Sequence, residues 1–267
     1  MNLKRYVTLT RAGIMESLQF RLSAFIMVLG NLLYLIVTFF LWKSIYAAAG
    51  TETVSGMTFN DTLIYLVLAT ALFGFMDMYI VWEIGRSIQS GQIVLELLRP
   101  MQYRKYLFWS YSGSFVTQFF FTFLPTFLIV AAVTHGAIRF GVNLLFFVIS
   151  VVLAVSINYS IDFLVGTICL YTESIWGINI MKQVIVLLLS GATIPLAFFP
   201  EPLHSVALCL PFQSIYNAPL TLLLDGEPQM QNVLQILGTQ AVWVVVMGLA
   251  SMAFWKVSIR KITVNGG

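Results

Sequence analysis

Residues 190–228 read SGATIPLAFFPEPLHSVALCLPFQSIYNAPLTLLLDGEP, and this stretch decides the fold. It holds six of the chain's eight prolines, although it is otherwise as apolar as a membrane helix. A proline inside a helix removes a backbone donor and clashes with the preceding turn, so one continuous helix is not expected. The apolar runs Leu203–Leu210 and Phe212–Leu224 hold 8 and 13 residues. A bilayer crossing needs about 20 residues, so neither run crosses alone.

Short apolar helices can enter a membrane and turn back only where other protein covers their backbone or where they line a cavity. We therefore predict an external re-entrant hairpin over Leu203–Leu224, within residues 201–230, and such a hairpin is more typical of a transport pathway than of an anchor. A hairpin in this place could form an external gate. The candidate gate residues are Pro195, Pro200, Pro211 and Phe212.

The rest of the chain has the composition of an integral membrane protein. Of its 267 residues, 59% are hydrophobic and only 9% are charged, whereas soluble domains carry about 25% charged residues. We predict an all-α polytopic fold with six transmembrane helices, in which residues 1–267 form a single transmembrane domain. The predicted crossings are Leu22–Tyr46, Asp61–Ile84, Tyr106–Thr134, Val142–Leu170, Asn179–Phe199 and Val233–Val257.

The distribution of basic residues predicts the orientation, because cytoplasmic loops are enriched in Lys and Arg. With both termini inside, 12 of the 14 Lys and Arg residues lie on the cytoplasmic side, Lys182 among them. Only Lys43 and Arg139 lie outside. We therefore expect a multi-pass protein of the cytoplasmic membrane, with residues 85–105 inside and the proline-rich hairpin outside.

Residues 1–21 have the pattern of an interfacial helix. Leu3, Val7, Ile14 and Leu18 recur at helical spacing, and four basic side chains accompany them. Such a helix lies at the lipid headgroups and turns its cations toward anionic lipid. The alternative is a frayed basic tail.

Residues 85–105, here called the coupling segment, predict a polar loop that carries a short amphipathic helix from Gln92 to Leu98. Pro100 ends that helix, because the residue before a proline avoids helical geometry. An apolar helix face presented to the cytoplasm suits docking against a peripheral protein. The alternative is a helix that lies passively on the membrane surface.

Two carboxylates fall inside predicted crossings, Asp77 in the second and Asp162 in the fourth. A charge at the bilayer centre costs about 2.5–3.5 kcal/mol, and such residues usually mark a pathway or a buried pair. Asn158 precedes Asp162 by one helical turn and could share a hydrogen bond with it, so a structural role stays as open as a transport role. Asp77 has no evident polar partner nearby, and a cavity-facing position is one of two readings.

Polar and small residues follow one face of the predicted fifth crossing. Asn179, Gln183, Val186, Ser190 and Thr193 step by four and three residues in alternation. Such a face meets either another helix or water. It lines the transport pathway in one interpretation and a helix-packing interface in the other.

Nothing in the sequence predicts an enzyme. His135 and His204 lie far apart, without cysteines or carboxylates at ligand spacing, so we expect no metal site. The phosphate-binding loop G-x-x-x-x-G-K-[ST] does not occur in the 267 residues. We expect membrane lipids as contacts and no nucleic acid.

Two motifs then become informative together: Gly91 with Leu97-Leu98-Arg99-Pro100, and Ser190-Gly191 with Ile194-Pro195-Leu196 and Phe199-Pro200. With the basic N-terminal helix and the hairpin before the last crossing, they resemble the permease subunit of an ABC-2-type ATP-binding-cassette exporter. The likeness covers the whole chain and is greatest to a branch in which two related permeases share one separate ATPase.

The resemblance implies a dimer of six-helix permeases, identical or related, driven by cytoplasmic ATPase subunits that bind ATP and Mg²⁺. This chain would itself bind no cofactor. Its contacts with the ATPase would come from the coupling segment, at Gly91, Ile93, Val94, Leu97, Leu98 and Arg99. Pathway or substrate contacts would come from Asp77, Asp162, Gln183, Ser190 and Thr193.

The rival hypothesis is a stand-alone secondary transporter in which Asp77 and Asp162 carry protons or cations. Inverted repeats are typical of such transporters, and the sequence has no repeat that we can identify. The residues leave the substrate open among lipids, drugs, peptides and glycans. They also leave open whether the partner permease is a copy or a relative.

Overall fold

The computed structural model of the chain describes residues 3–19, 21–76, 79–134, 141–172, 174–225 and 229–261. The predictions made for Asp77, His135 and Arg139 lie outside these residues. Within the described part the fold is all-α, with one two-stranded hairpin that pairs Thr53–Val54 with Met57–Thr58.

Twelve α-helices make up most of the described chain. They are α1 Leu3–Gln19, α2 Arg21–Ala49, α3 Phe59–Met76, α4 Ile80–Gln89, α5 Ile93–Leu97, α6 Tyr103–Gln118, α7 Leu124–Val133, α8 Val142–Ile168, α9 Ile175–Leu189, α10 Glu201–Cys209, α11 Asn217–Leu224 and α12 Met230–Ser258. Short 3₁₀ turns at Leu196–Phe198, Pro211–Ser214 and Ile259–Lys261 complete the hairpin and end α12.

Five helical stretches in the described chain are long and apolar enough to cross a membrane, judged by length and composition. They are Leu29–Ala49, Phe59–Gln89, Tyr103–Val133, Val142–Ile168 and Met230–Ser258. They confirm an all-α polytopic membrane protein. The helix in the place of the predicted fifth crossing, Ile175–Leu189, is apolar but has only 15 residues.

The predicted end of that fifth helix at Phe199 was wrong. α9 ends at Leu189, because Ser190 caps it and Gly191 follows with a φ of +81°. Glycine adopts this left-handed conformation without the steric cost that a Cβ would add, and it commonly ends helices in this way.

The coupling segment also differs from the prediction of a polar loop. α4 continues to Gln89, α5 covers Ile93–Leu97, and α6 begins at Tyr103 instead of Tyr106. Ile84 and Ser87 of α4 are buried, so the first part of the segment packs into the protein although Arg86 between them is exposed.

Pro125 follows an irregular turn of the helix. A π-helical turn covers Phe119–Phe123, and the N–H of Leu124 bonds to the carbonyl of Phe119, five residues back. One extra residue in the turn accommodates the missing donor of Pro125 at the start of α7.

α1 packs along α6 and runs in the same direction. The Thr10 and Ser112 hydroxyl oxygens lie 2.6 Å apart, and those of Ser17 and Thr117 lie 2.9 Å apart. A Cβ placed on Gly113 would lie 2.4 Å from the carbonyl O of Thr10. Small residues that allow close backbone approach are typical of membrane helix packing.

The core lies where α8 packs against α4, α11 and α12, and where α3 packs against α7 and α11. Aromatic rings extend it: Phe123 stacks on Phe119, Phe127 and Phe147 at centroid distances of 5.6 to 6.0 Å. The fully buried aliphatic side chains include Leu66, Leu68, Leu72, Met76, Ile80, Ile84, Ile157, Ile215 and Leu220.

Candidate functional site

The coupling segment is a tight helical corner at the ends of α4 and α6. The chain turns at Gly91, which has a φ of +71°, a value that favours glycine. Five helical residues follow as α5, and exposed Pro100 precedes the start of α6. The corner therefore presents α5 outside the main helical body.

The apolar side chains of α5 divide between core and surface. Ile93 is 2% exposed and belongs to the core, and Val94 and Leu97 are partly buried against it. Leu95 and Leu98 are 67% and 77% exposed. Of the predicted coupling residues, Leu98 lies at the surface and Ile93 anchors the helix; Leu95, which was not among them, is also exposed.

Arg99 completes the exposed end of this corner. Its guanidinium carbon lies 4.0 Å from the centroid of the Tyr106 ring, a cation–π contact. The contact holds the Arg99 side chain against α6, and the residue itself is exposed.

A buried carboxylate fastens α5 to α4. Glu96 is 4% exposed and its Oε2 accepts a 2.7 Å hydrogen bond from the Ser87 hydroxyl, which is also buried. Hydrogen bonds to a charged group are stronger than neutral ones, and a buried polar pair loses more when it is broken. The Glu96–Ser87 pair therefore makes α4 and α5 one unit. The sequence analysis did not single out Glu96, because its burial depends on the contact with Ser87.

A second buried charge pair joins α8 to α9. The Lys182 ammonium lies 2.9 Å from Asp162 Oδ1, with 8% and 0% of the two side chains exposed. Lys182, which the sequence analysis counted among the cytoplasmic basic residues, is thus a buried, paired residue of α9. Asn158, for which a hydrogen bond to Asp162 was one possibility, donates its amide to the Met76 carbonyl at 2.9 Å.

A small cleft opens beside this ion pair. It is lined by Phe73, Met76, Asn158, Lys182, Gln183, Val186 and Tyr216. An ammonium group, two side-chain amides and two aromatic rings thus face one space between α3, α8 and α9. Gln183 lies in this cleft and Asp162 lies behind Lys182, so the structure brings two of the proposed pathway residues together.

Ser190 and Thr193 lie elsewhere, where α9 meets the hairpin. Ser190 is fully buried, its Oγ accepts from the N–H of Ala192 at 3.3 Å, and its carbonyl accepts from the N–H of Asn217 at 3.2 Å. Thr193 is half-buried in the bend that follows α9. These two residues therefore shape the entry to the hairpin and do not line the cleft.

The hairpin is held by side chains from two helices, α8 and α12. Gln240 of α12, fully buried, donates to the carbonyls of Ser214 and Ser150 at 2.8 and 3.2 Å, and its Oε1 accepts from the Ser150 hydroxyl at 2.8 Å. At the other end of the hairpin, the Asn143 amide of α8 donates to the Asp225 carbonyl. Both ends of the segment Ser214–Asp225 are thus fixed to α8 or α12.

The predicted gate residues line this hairpin in different ways. Pro195 and Pro211 are buried, Phe212 is half-buried, and Pro200 is exposed at the start of α10. Pro219, which we expected to bound or kink a helix, falls in the first turn of α11, where its missing N–H has no helical partner to lose. The hairpin is therefore two short helices, α10 and α11, joined by the turn Pro211–Ser214.

Arg104 is a half-buried cation that the sequence analysis counted only for orientation. Its guanidinium donates to the Gly248 carbonyl at 2.9 Å and to the Ser160 hydroxyl at 2.8 Å. It lies 5.8 and 5.7 Å from the ring centroids of Tyr159 and Phe163. Arg104 therefore ties the start of α6 to α8 and α12.

Comparison with known proteins agrees with this architecture. The family model described as ABC-2 family transporter protein matches residues 32–266. The match includes the coupling segment, the cleft and the whole hairpin. A comparison with curated proteins finds no match.

Proposed function

The chain belongs to the ABC-2 transporter family, and we propose that it is the permease subunit of an ATP-driven exporter. It forms the translocation pathway as a dimer with a second permease, identical or related. Separate cytoplasmic ATPase subunits drive it. The 267 residues lack a phosphate-binding loop, so ATP and Mg²⁺ belong to those subunits and this chain is not an enzyme itself.

The exposed leucines of the coupling segment carry this proposal. Leu95 and Leu98 are 67% and 77% exposed on a five-residue helix that Glu96 and Ile93 anchor to α4 and the core. An apolar surface on a rigid corner fits a cleft of a partner protein better than it fits water. Val94 and Leu97 support that surface from behind.

The second element of the proposal is the topology, with six crossings and both termini in the cytoplasm. α9 has 15 residues, about 22 Å of helix, and the hydrocarbon core is about 30 Å thick. The fifth crossing therefore needs the non-helical residues 190–195 to reach the outer surface. These residues can lie at that depth because Ser190 and Ala192 are buried in protein and α11 covers them.

The hairpin contacts support a re-entrant path. Asn143, which contacts Asp225, is the second residue of α8. Gln240, which bonds to Ser214, and its partner Ser150 lie farther along their helices. Ser150 is about 12 Å from the N-terminal end of α8, and Gln240 is about 15 Å from the N-terminal end of α12. From Ser214 to Asp225 the chain therefore moves toward that end of α8 and α12 by roughly one third to one half of the membrane thickness. In the proposed orientation it enters from outside and returns to the outside as a gate.

The basic N-terminal helix fits the same orientation. Lys4, Arg5 and Arg11 of α1 are exposed, whereas the face with Thr10 and Ser17 packs on α6. We place the basic face at the inner headgroups, where anionic lipid attracts it. α1 would thus reach the lipid surface while staying bound to α6.

We assign the cleft beside Lys182 to the pathway. Its volume is about 10 Å³, room for one water molecule, so it would have to widen before a larger molecule could pass the two amides and the aromatic rings that line it. The Asp162 carboxylate is paired with Lys182, which weakens the rival hypothesis of a free intramembrane carboxylate that carries protons or cations.

The experiment is to purify the tagged protein from native membranes and measure the ATPase subunits and the ATP hydrolysis that accompany it. Replacing Leu95 and Leu98 with Asp should lower co-purified ATPase at least roughly ten-fold, because each buried leucine contributes about 1.5–3 kcal/mol. Gln92→Asp is the matched control: it adds charge at an exposed site of the same segment without removing an apolar contact. Full ATPase recovery with the double variant, or transport by the purified chain in liposomes without ATP, would contradict the proposal.

A further inference from the structure

An open apolar groove runs between α2 and α3. Its lining residues are all apolar except Thr38, and its volume is about 290 Å³: Leu32, Leu35, Ile36, Thr38, Phe39, Phe40, Leu63, Leu66 and Val67. Leu32, Ile36 and Phe40 are 51–59% exposed, so the groove opens away from the protein body. Its size is near the lower end for small-ligand sites, about 300 Å³.

Aromatic side chains set the depth of this groove. Trp42 packs on Phe198 of the hairpin at a centroid distance of 4.6 Å, and Tyr46 packs on Phe59 at 5.6 Å. Trp and Tyr are enriched at the membrane–water interface, so this cluster marks one boundary of the bilayer. Leu32 precedes Trp42 by ten residues, about 15 Å of helix. The groove therefore lies in the hydrocarbon layer directly beneath that boundary.

A lysine stands at the end of the groove that faces the boundary. The Lys43 ammonium lies 6.0 Å from the ring centroid of Phe39, a lining residue, and Lys43 is exposed. Among the described residues no carboxylate lies within 4.0 Å of it. The Asp61 carboxylate, at the start of α3, instead accepts from the Thr58 hydroxyl and N–H. The cation above the groove is thus available to an anion from outside the chain.

We propose that this groove binds a phospholipid of the outer leaflet, with one acyl chain along α2 and α3 and the phosphate at Lys43. From the membrane boundary inward, Lys43 comes first and the apolar lining follows. A phospholipid has its phosphate and its acyl chain in the same order. A partner helix would have to supply an acidic group at the level of Lys43 and an unbranched apolar surface below it, whereas a phospholipid has both.

A bound lipid would complete the packing of α2. Only 17% of the residues in the most apolar part of Leu29–Ala49 are buried. Two aromatic residues of the same helix do contact the protein body: Trp42 packs on Phe198, and the Tyr46 hydroxyl donates to the Met57 carbonyl. An acyl chain in the groove fills the gap between α2 and the body and stabilises the position of α2.

The test is native mass spectrometry of the purified protein in detergent, titrated with phosphatidylglycerol. Lys43→Gln and Ile36→Trp should each lower the bound lipid about five-fold, since a basic residue near a lipid phosphate contributes about a factor of five and an indole at the exposed position 36 fills the groove. Lys256→Gln and Val245→Trp, exposed sites on α12, are the matched controls and should leave binding within two-fold of the parent protein.

Two results would overturn the assignment. One is lipid retention by Lys43→Gln that equals the parent or falls no more than in Lys256→Gln. The other is an intermolecular disulfide formed in membranes by a single cysteine at Ile36, together with no lipid adduct, because a second copy would then cover the groove. Lipid loss in both groove variants, with no such disulfide, supports the site.

Discussion

The Lys182–Asp162 pair should dominate the stability of the α8–α9 contact. Both side chains are buried and their charged atoms lie 2.9 Å apart. Removing one partner of a buried ion pair leaves an uncompensated charge and typically costs about 3–5 kcal/mol. Lys182→Met should therefore lower the midpoint of thermal denaturation in detergent by roughly 6–20 °C, using about 2–4 °C for each kcal/mol.

The double variant Asp162→Asn, Lys182→Met separates the charge from the packing. Replacing both members of a buried pair by neutral groups of similar size is often near neutral in stability, because both desolvation penalties disappear together. We expect the double variant to recover most of the loss seen in Lys182→Met. Denaturation is followed as the fraction of monodisperse protein in size-exclusion chromatography after heating, and the four proteins of the double-mutant cycle give the coupling energy.

Two outcomes of that cycle would refute the reasoning. A Lys182→Met midpoint within about 2 °C of the parent would mean that the ammonium contributes no net pairing energy in the membrane. A double variant no more stable than the single one would mean that other contacts of Asp162 carry the effect. If the double variant is stable but no longer supports ATP-driven transport in the purified complex, the pair acts in the transport cycle and not only in packing.

Two further predictions address the remaining contacts of the fold. Gly113→Ala would place a Cβ 2.4 Å from the carbonyl O of Thr10, so it should destabilise the α1–α6 packing by about 1–3 kcal/mol, whereas Gly30→Ala, which meets nothing within 4 Å, should not; thermal midpoints in detergent measure both. Single cysteines at Ser205 and Asp225, in a background without the native cysteines, should both react with an impermeant thiol reagent added outside. Labelling of Asp225→Cys only from the cytoplasm would show a crossing between the two positions and would contradict a re-entrant hairpin.

Hydropathy was sufficient to predict most of the long helices. α8 begins at the predicted Val142 and ends two residues before the predicted Leu170, and α12 exceeds Val233–Val257 by a few residues only. These helices are predominantly apolar and bounded by polar or turn residues, so length and composition determine them. Their packing partners could not be predicted, because an apolar surface is equally compatible with lipid and with another helix.

The prediction failed at charged residues and at one glycine, because their structural roles depend on local contacts and local backbone geometry. Gly191 is a helix-ending signal that the apolar residues after it obscured, so α9 was extended ten residues too far. From the sequence alone, exposed Arg86 and buried Glu96 of the coupling segment both look like charged residues on the protein surface. Only the three-dimensional contact with Ser87 distinguishes them.

The missed ion pair had a readable signal. Asp162 lies six residues before the end of α8 at Ile168, and Lys182 lies seven residues after the start of α9 at Ile175. Two helices joined by a short turn and running in opposite directions bring such positions to the same level. A carboxylate and an ammonium at equal distances from one turn, both in apolar surroundings, thus predict a buried pair. Reading each charge alone, one as a pathway residue and the other as a topology signal, concealed it.

α4 lies between the Glu96–Ser87 pair and the two helices that carry the Lys182–Asp162 pair. At its end, Ser87 holds Glu96 and hence the exposed leucines of α5. Two residues earlier, a Cβ on Gly85 would lie 2.7 Å from the side chain of Ile175, the first residue of α9, and a Cβ on Gly166 of α8 would lie 2.7 Å from the side chain of Ile84. Glycine at these positions lets the Ile175 and Ile84 side chains pack directly against the facing helix backbone, so α4 contacts both helices of the Lys182–Asp162 pair. In the proposed exporter, a displacement of α5 by the ATPase therefore reaches the α8–α9 contact, and the cleft beside it, through one short and closely packed helix.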